Sequence, residues 1–113
     1  MLTIYRDKLP DSYLLIVASV NKPQDPTALD RALHRAGRSG KRNVWLDCSL
    51  WEARDVSSEA CLLLRAYHDA FAALGINMVL AHAPEKLQHC LETNDAAPAP
   101  RLVEWLVESF RRN

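Results

Sequence analysis

Residues 43–75 read NVWLDCSLWEARDVSSEACLLLRAYHDAFAALG, which predicts a strand, a charged loop and a long amphipathic helix in succession. The apolar run VWL predicts a buried strand, and Asp47 follows where that strand would leave the sheet. Ser57 and Ser58 precede the first periodic apolar residues, where a helix cap belongs. Because sites in open α/β sheets lie outside the carboxyl ends of the strands, we expect a functional site within residues 47–59.

The residues before this segment predict two strands and a helix. Residues 2–6 alternate apolar and polar side chains, and residues 13–20 are nearly all apolar, as in a strand covered on both faces. A turn over residues 8–12 would join them as a hairpin. Residues 25–27, DPT, provide a helix start, and Gly37 provides the helix end. Between them, one helical face carries the apolar residues Leu29, Ala32, Leu33 and Ala36.

The residues after it continue the alternation of strands and helices. Residues 76–81 predict a strand, and residues 85–93 and 101–112 predict helices. The prolines of NDAAPAP, residues 94–100, argue against a regular central strand, so a fifth strand at 96–100 is left open. Strands alternating with helices predict an α/β class: one small domain over residues 1–113, with a four- or five-stranded mixed, mostly parallel sheet covered by about four helices.

Charge and hydropathy exclude several classes of protein. The 113 residues carry 14 basic and 14 acidic side chains, so no global field favours nucleic acid or an anionic membrane. Apolar runs are much shorter than the roughly 20 residues that cross a bilayer, so we expect no direct membrane insertion. Met1 leads straight into LTIY instead of a signal peptide. Three well-separated cysteines fit reduced thiols, and we expect two of them, Cys61 and Cys90, to be small core residues. We expect a cytoplasmic protein.

Basic residues gather around the end of the first predicted helix. A phosphate-binding patch is conceivable, but cations favour a helix C-terminus in any case, and no aromatic residue interleaves with them. The helix-dipole explanation is therefore preferred. The residues concerned are Arg31, Arg35, Arg38, Lys41 and Arg42.

Enzyme signatures are absent from the sequence. It contains no GxGxxG, no GxxxxGK[ST], no CxxC and no HExxH motif, so we expect a non-enzymatic protein with no cofactor and no metal. A triad of Ser58, His82 and Asp47 can be written, but Ser58 lacks the glycines of a nucleophile elbow. A reactive Cys48 or a pocket lined by Cys48, Asp47 and His82 would favour an enzyme instead.

The central pattern resembles the STAS domain, the fold of anti-sigma factor antagonists and of the cytoplasmic domains of some anion transporters. The likeness lies in LDCS, a loop, and VSSEACLLLRAYHDAFAALGINMVL, and the element order agrees from about residue 13 to 81. The resemblance implies a partner with anti-sigma factor kinase activity, or another signalling protein. It also implies phosphorylation of a serine at the helix start, which breaks the complex. An alternative is a cytoplasmic subunit of a membrane transport system for lipids or anions.

The family pattern, hydrophobic-Asp-Ser-Ser-Gly, aligns here in two ways. Aligning VSSEA places Ser57 on the family's Asp, Ser58 on its first serine and Glu59 on the usual acceptor. Aligning RDVSS keeps Asp55 on the Asp and makes Ser57 the acceptor. The first alignment preserves the helix phase better, with Val56 as the apolar entry residue and CL at the start of the core. Ser58 and Ser57 are therefore the candidate phosphoacceptors.

A simpler interpretation needs no switch: Ser57 or Ser58 caps the helix, and Glu59 complements its dipole. In either case we expect a protein partner to bind the loop and helix start, and the sequence leaves room for a homodimer. Trp51 either anchors that partner or folds back onto the core. The expected partner-binding residues are Asp47, Ser49, Trp51, Asp55, Ser57, Ser58 and Glu59.

Overall fold

The computed structural model describes residues 2–19, 26–92 and 100–111, which form one four-stranded sheet and four α-helices. The strands are β1 (Leu2–Lys8), β2 (Ser12–Ser19), β3 (Asn43–Leu50) and β4 (Asn77–Ala81). The helices are α1 (Pro26–Gly37), α2 (Ser58–Ala73), α3 (Glu85–Glu92) and α4 (Pro100–Arg111), and a 3-10 turn covers Ala53–Asp55.

The strands lie in the sheet in chain order, β1-β2-β3-β4. β1 and β2 form an antiparallel hairpin, whereas β2–β3 and β3–β4 are parallel pairs joined through α1 and α2. This confirms the predicted α/β class and the mixed, mostly parallel sheet. The segment at 96–100 that was considered for a fifth strand lies mostly outside the described residues, and Pro100 begins α4.

The helices cover one face of the sheet. Alternate residues of β2 and β3 lie in the same buried cluster as the apolar stripes of all four helices. The expectation that β2 is covered on both faces was wrong, because its burial alternates along the strand. Trp45 was expected in a buried strand, yet 43% of it is exposed on the central strand β3. It shares the uncovered face with Leu14 and Val79, its partners in the strand register.

The helix layer is held together by close packing around Gly37. A Cβ at this position would lie 2.6 Å from the Phe110 ring and 2.8 Å from the Phe71 ring, so α1, α2 and α4 meet where only glycine fits. The rings of Phe71 and Phe110 lie 5.7 Å apart, and His34 lies 5.0 Å from Phe110. The Tyr67 hydroxyl donates a 2.6 Å hydrogen bond to the Asp30 carboxylate, which joins α2 to α1.

Three local expectations need correction or remain outside the described part of the chain. β3 continues to Leu50, so Asp47 lies inside the strand and does not mark its exit. Leu62 was placed at the start of the core but is 36% exposed, whereas Cys61 is buried as expected. Cys90 was also assigned to the core, but its side chain lies outside the described ones.

Within residues 2–19, 26–92 and 100–111, no helix is long and apolar enough to cross a membrane.

Candidate functional site

The candidate site begins in the last residues of β3, at the carboxyl end of the parallel strands. Asp47 pairs with Ile16 on one side and Ala81 on the other. The backbone N–H of Ser49 donates to its carboxylate at 3.0 Å. This hydrogen bond lowers the pKa of Asp47, with smaller contributions from the Ser49 hydroxyl and the charge of His82. Asp47 is therefore a fixed anion at this edge of the sheet at neutral pH.

A β-bulge near the end of β3 changes which side chains face the core. Ile16 pairs with Asp47, but Ala18 pairs with Leu50, so β3 contains one more residue than β2 between these pairs. The extra residue inverts the alternation. Leu50 consequently lies on the uncovered side with 58% exposure, and Trp51 enters the core at 3% exposure.

Trp51 is buried in the core and is therefore not accessible to a partner. Its indole N–H donates to the Asp55 carbonyl at 3.3 Å, and its backbone N–H donates to the Cys48 carbonyl at 3.0 Å. Of the two placements left open by the sequence, the structure shows the one in which Trp51 folds back. Trp51 is thus withdrawn from the expected partner-binding residues.

The loop after Trp51 is tied to the sheet at a second point. The Glu52 backbone N–H donates to the Ser19 hydroxyl at 2.9 Å, which fixes the loop to the end of β2. The 3-10 turn ends at Asp55, which is partly buried, and Val56 follows at 1% exposure. Trp51 and Val56 are buried near the two ends of the loop, and the backbone N–H groups of Trp51 and Glu52 are both hydrogen-bonded. The loop therefore has a defined conformation before a partner binds, which lowers the entropic cost of binding.

The start of α2 distinguishes the two serines. Ser57 is the N-cap residue, in an extended conformation, and its hydroxyl accepts the Ala60 backbone N–H at 3.1 Å. Ser58 and Glu59 occupy the first turn and are both exposed. Ser57 therefore has a structural hydrogen bond, whereas the Ser58 side chain faces solvent beside free helix amides.

Burial around the cap follows the phase of α2. Val56, Ala60 and Cys61 are buried, whereas Leu62 is 36% exposed. Glu59 lies in the first turn, where a carboxylate complements the helix dipole.

Cys48, one of the residues considered for catalysis, is not an activated nucleophile. Burial raises the pKa of the Cys48 thiol to about 12, with a further contribution from the charge of Asp47. A thiol with that pKa is protonated at neutral pH and is a poor nucleophile. His82 is exposed at the end of β4 and adopts a positive φ of 55°. In the described part of the chain, no group of three His, Cys, Asp or Glu residues is placed to hold a metal ion.

We use the name carboxyl-edge surface for seven residues in the last part of β3, the loop and the start of α2: Asp47, Ser49, Leu50, Asp55, Ser57, Ser58 and Glu59. Ser49, Leu50, Ser58 and Glu59 are its exposed members, and the other three are partly buried. Leu50 was missed by sequence reasoning, because strict alternation from Val44 and Leu46 would bury it. Comparison of the chain with family models, curated proteins and solved structures gives no match.

Proposed function

We propose that this protein is a non-enzymatic, STAS-like regulatory module that binds a signalling protein through the carboxyl-edge surface. The observation that carries the proposal is the exposure of Leu50, 58%, at the end of the central strand. Leu50 has exposed polar neighbours in the chain, Ser49 and Glu52, and protein interfaces combine an apolar centre with a polar rim. The two attachments of the loop, at Trp51 and Glu52, favour binding without rearrangement.

The element order and the cap support the family resemblance on which this proposal draws. The order is β-β-α-β-α-β-α before the last helix, as expected from the resemblance. The helix that would receive a phosphate begins directly after the loop, with Ser57 as its cap.

Ser58 is the better placed of the two candidate phosphoacceptors. Its side chain is exposed, whereas the Ser57 hydroxyl accepts the Ala60 N–H. A phosphate on Ser58 would add about −1.5 to −2 charge at the positive end of the α2 dipole. It would lie beside Glu59 and would repel an acidic patch on a partner. We propose that phosphorylation of Ser58 weakens the complex.

A capture experiment from the native cells tests this proposal. Wild-type protein, Leu50→Asp, Ser58→Asp and Leu9→Asp are used as baits, and the intact mass of the endogenous protein is measured. Leu9 is the matched control, because it is a 45% exposed leucine in the hairpin turn at the opposite end of β2. We expect a signalling protein on wild type and Leu9→Asp, much less on Leu50→Asp and Ser58→Asp, and a phosphate mass on Ser58.

The outcomes separate the alternatives. Equal recovery on Leu50→Asp and Leu9→Asp would reject the carboxyl-edge surface as the binding site. Loss on Leu50→Asp with full recovery on Ser58→Asp would retain the surface and reject the phosphoswitch. Recovery of a membrane transport subunit would replace the signalling partner with the transport alternative.

A further inference from the structure

A pocket of about 630 Å³ lies between α1 and β1, away from the carboxyl-edge surface. Tyr13, in its wall, pairs with Val44 at the amino end of β3, whereas the carboxyl-edge surface lies at the other end of that strand. The volume is within the range of small-molecule sites, about 300 to 1,000 Å³. Its principal lining residues are Arg6, Tyr13, Arg31, His34, Arg35 and Arg38.

Positively charged side chains predominate among the residues that line the pocket. Four arginines and one acid, Asp30, line it, so these side chains sum to plus three, although the whole chain has a net charge of zero. The Asp30 carboxylate already accepts the Tyr67 hydroxyl at 2.6 Å. Among the described residues, Arg6, Arg31 and Arg35 have no ion-pair partner, so their guanidinium groups remain available.

The helix-dipole explanation accounts for only part of this arrangement. It fits Arg35, in the last turn of α1, and Arg38, just beyond it. It does not explain Arg6, which belongs to β1, nor Arg31, one turn before Arg35. Arg6 and Arg31, separated by 25 positions in the chain, therefore bring like charges to one pocket, and a bound anion would relieve their repulsion.

Tyr13 provides a second, independent observation. The residue is 1% exposed and lines the pocket, yet its hydroxyl has no hydrogen-bond partner among the described residues. Within the same residues, no fully buried side-chain oxygen or nitrogen is left without a partner. The Tyr13 hydroxyl is therefore not fully buried, and Tyr13 lines both this pocket and a smaller adjoining one that shares Arg6, Arg31 and Arg35, so the hydroxyl can donate to a ligand held by these arginines.

We propose that this pocket binds an anion bearing phosphate groups. Guanidinium groups form paired hydrogen bonds to phosphate oxygens, and arginines from two elements can hold one phosphate from two directions. The Tyr13 hydroxyl would supply a further hydrogen bond from the pocket wall. A soluble phosphate compound and the headgroup of an anionic lipid share this chemistry, and the experiment distinguishes them.

Isothermal titration with pyrophosphate and with ADP measures the soluble case, and sedimentation with phosphatidylglycerol or phosphatidylcholine vesicles measures the lipid case. We expect saturable binding of pyrophosphate or ADP, or selective sedimentation with phosphatidylglycerol. Arg31→Gln and Arg35→Gln should each weaken binding by about tenfold, because each removes charged hydrogen bonds. Tyr13→Phe should weaken binding less, with unchanged thermal unfolding of the free protein.

Arg54→Gln is the matched control, since Arg54 is exposed in the 3-10 turn and pairs only with Glu52 among described partners. The affinity of the Arg54→Gln variant for each probe should equal that of the wild type. No binding of any probe would overturn the proposal. Binding weakened as much by Arg54→Gln as by Arg35→Gln would also overturn it, because that result indicates non-specific charge attraction.

Discussion

The Ser57 hydroxyl accepts a hydrogen bond from the Ala60 backbone N–H at 3.1 Å, and this bond caps the N-terminus of α2. The next residue, Ser58, is exposed. Two adjacent serines therefore differ in what they do: Ser57 stabilises the helix, and Ser58 remains accessible to a partner or a kinase. This difference leads directly to a test on the isolated protein.

Ser57→Ala should lower the free energy of unfolding by about 1 kcal/mol, because it leaves a helix N–H without its cap. Ser58→Ala should change the free energy of unfolding by less than about 0.5 kcal/mol, as an exposed substitution does. Urea denaturation of both variants measures the difference. Equal losses in the two variants would show that Ser57 does not cap α2 in solution.

The three tryptophans should differ in solvent access. Trp51 is 3% exposed, whereas Trp45 and Trp105 are 43% and 60% exposed. A Trp45→Phe/Trp105→Phe variant, which retains Trp51, should fluoresce at shorter wavelength and resist acrylamide quenching. A Trp45→Phe/Trp51→Phe variant, which retains Trp105, is the comparison. Strong quenching of Trp51 would contradict its placement beneath the loop.

Gly37→Ala should destabilise the protein by about 1 to 3 kcal/mol, because the added methyl group meets the Phe110 and Phe71 rings. Phe110→Leu should relieve part of this clash. In a double-mutant cycle, the loss for the double variant should therefore be smaller than the sum of the two single losses. Additive losses would show that Gly37 and Phe110 are not in contact.

Stability should fall at alkaline pH, partly because of Cys48. Burial raises its pKa from 9.0 to about 12 in the folded protein, so the folded state retains the thiol proton longer than the unfolded state. This contribution is fully present below pH 9 and is lost progressively above it. Cys48→Ala should show a shallower decline of the free energy of unfolding between pH 9 and about 11. Identical slopes for both proteins would contradict a buried, protonated thiol.

The sequence predicts helices well where the evidence is the regular spacing of apolar residues within one segment of the chain. The stripe Leu29, Ala32, Leu33 and Ala36 predicted the buried face of α1: Ala32 is partly buried against the core, and the other three residues are fully buried. Trp45 was misplaced because an apolar run does not reveal whether helices cover one face of a strand or both. Only the packing of all four helices on one side determines its exposure.

The local structure of residues 47–59 was predicted in part for a similar reason. The serine cap at α2 follows from a local rule, so its position was visible in the sequence. The exposure of Leu50 and the burial of Trp51 depend on a bulge between β3 and β2. A bulge is set by the pairing of two strands that are distant in the chain, so alternation within β3 gives the wrong faces beyond Ser49.

The most direct test of the account is the affinity of the purified captured partner for four forms of this protein: wild type, Leu50→Asp, Ser58→Asp and Leu9→Asp. Leu50→Asp and Ser58→Asp should each weaken binding by about tenfold or more, since an unpaired charge at an interface costs well over 1.4 kcal/mol. Leu9→Asp should bind like the wild type. If Leu50→Asp binds as tightly as Leu9→Asp, the partner does not use the carboxyl-edge surface, and the central proposal is wrong.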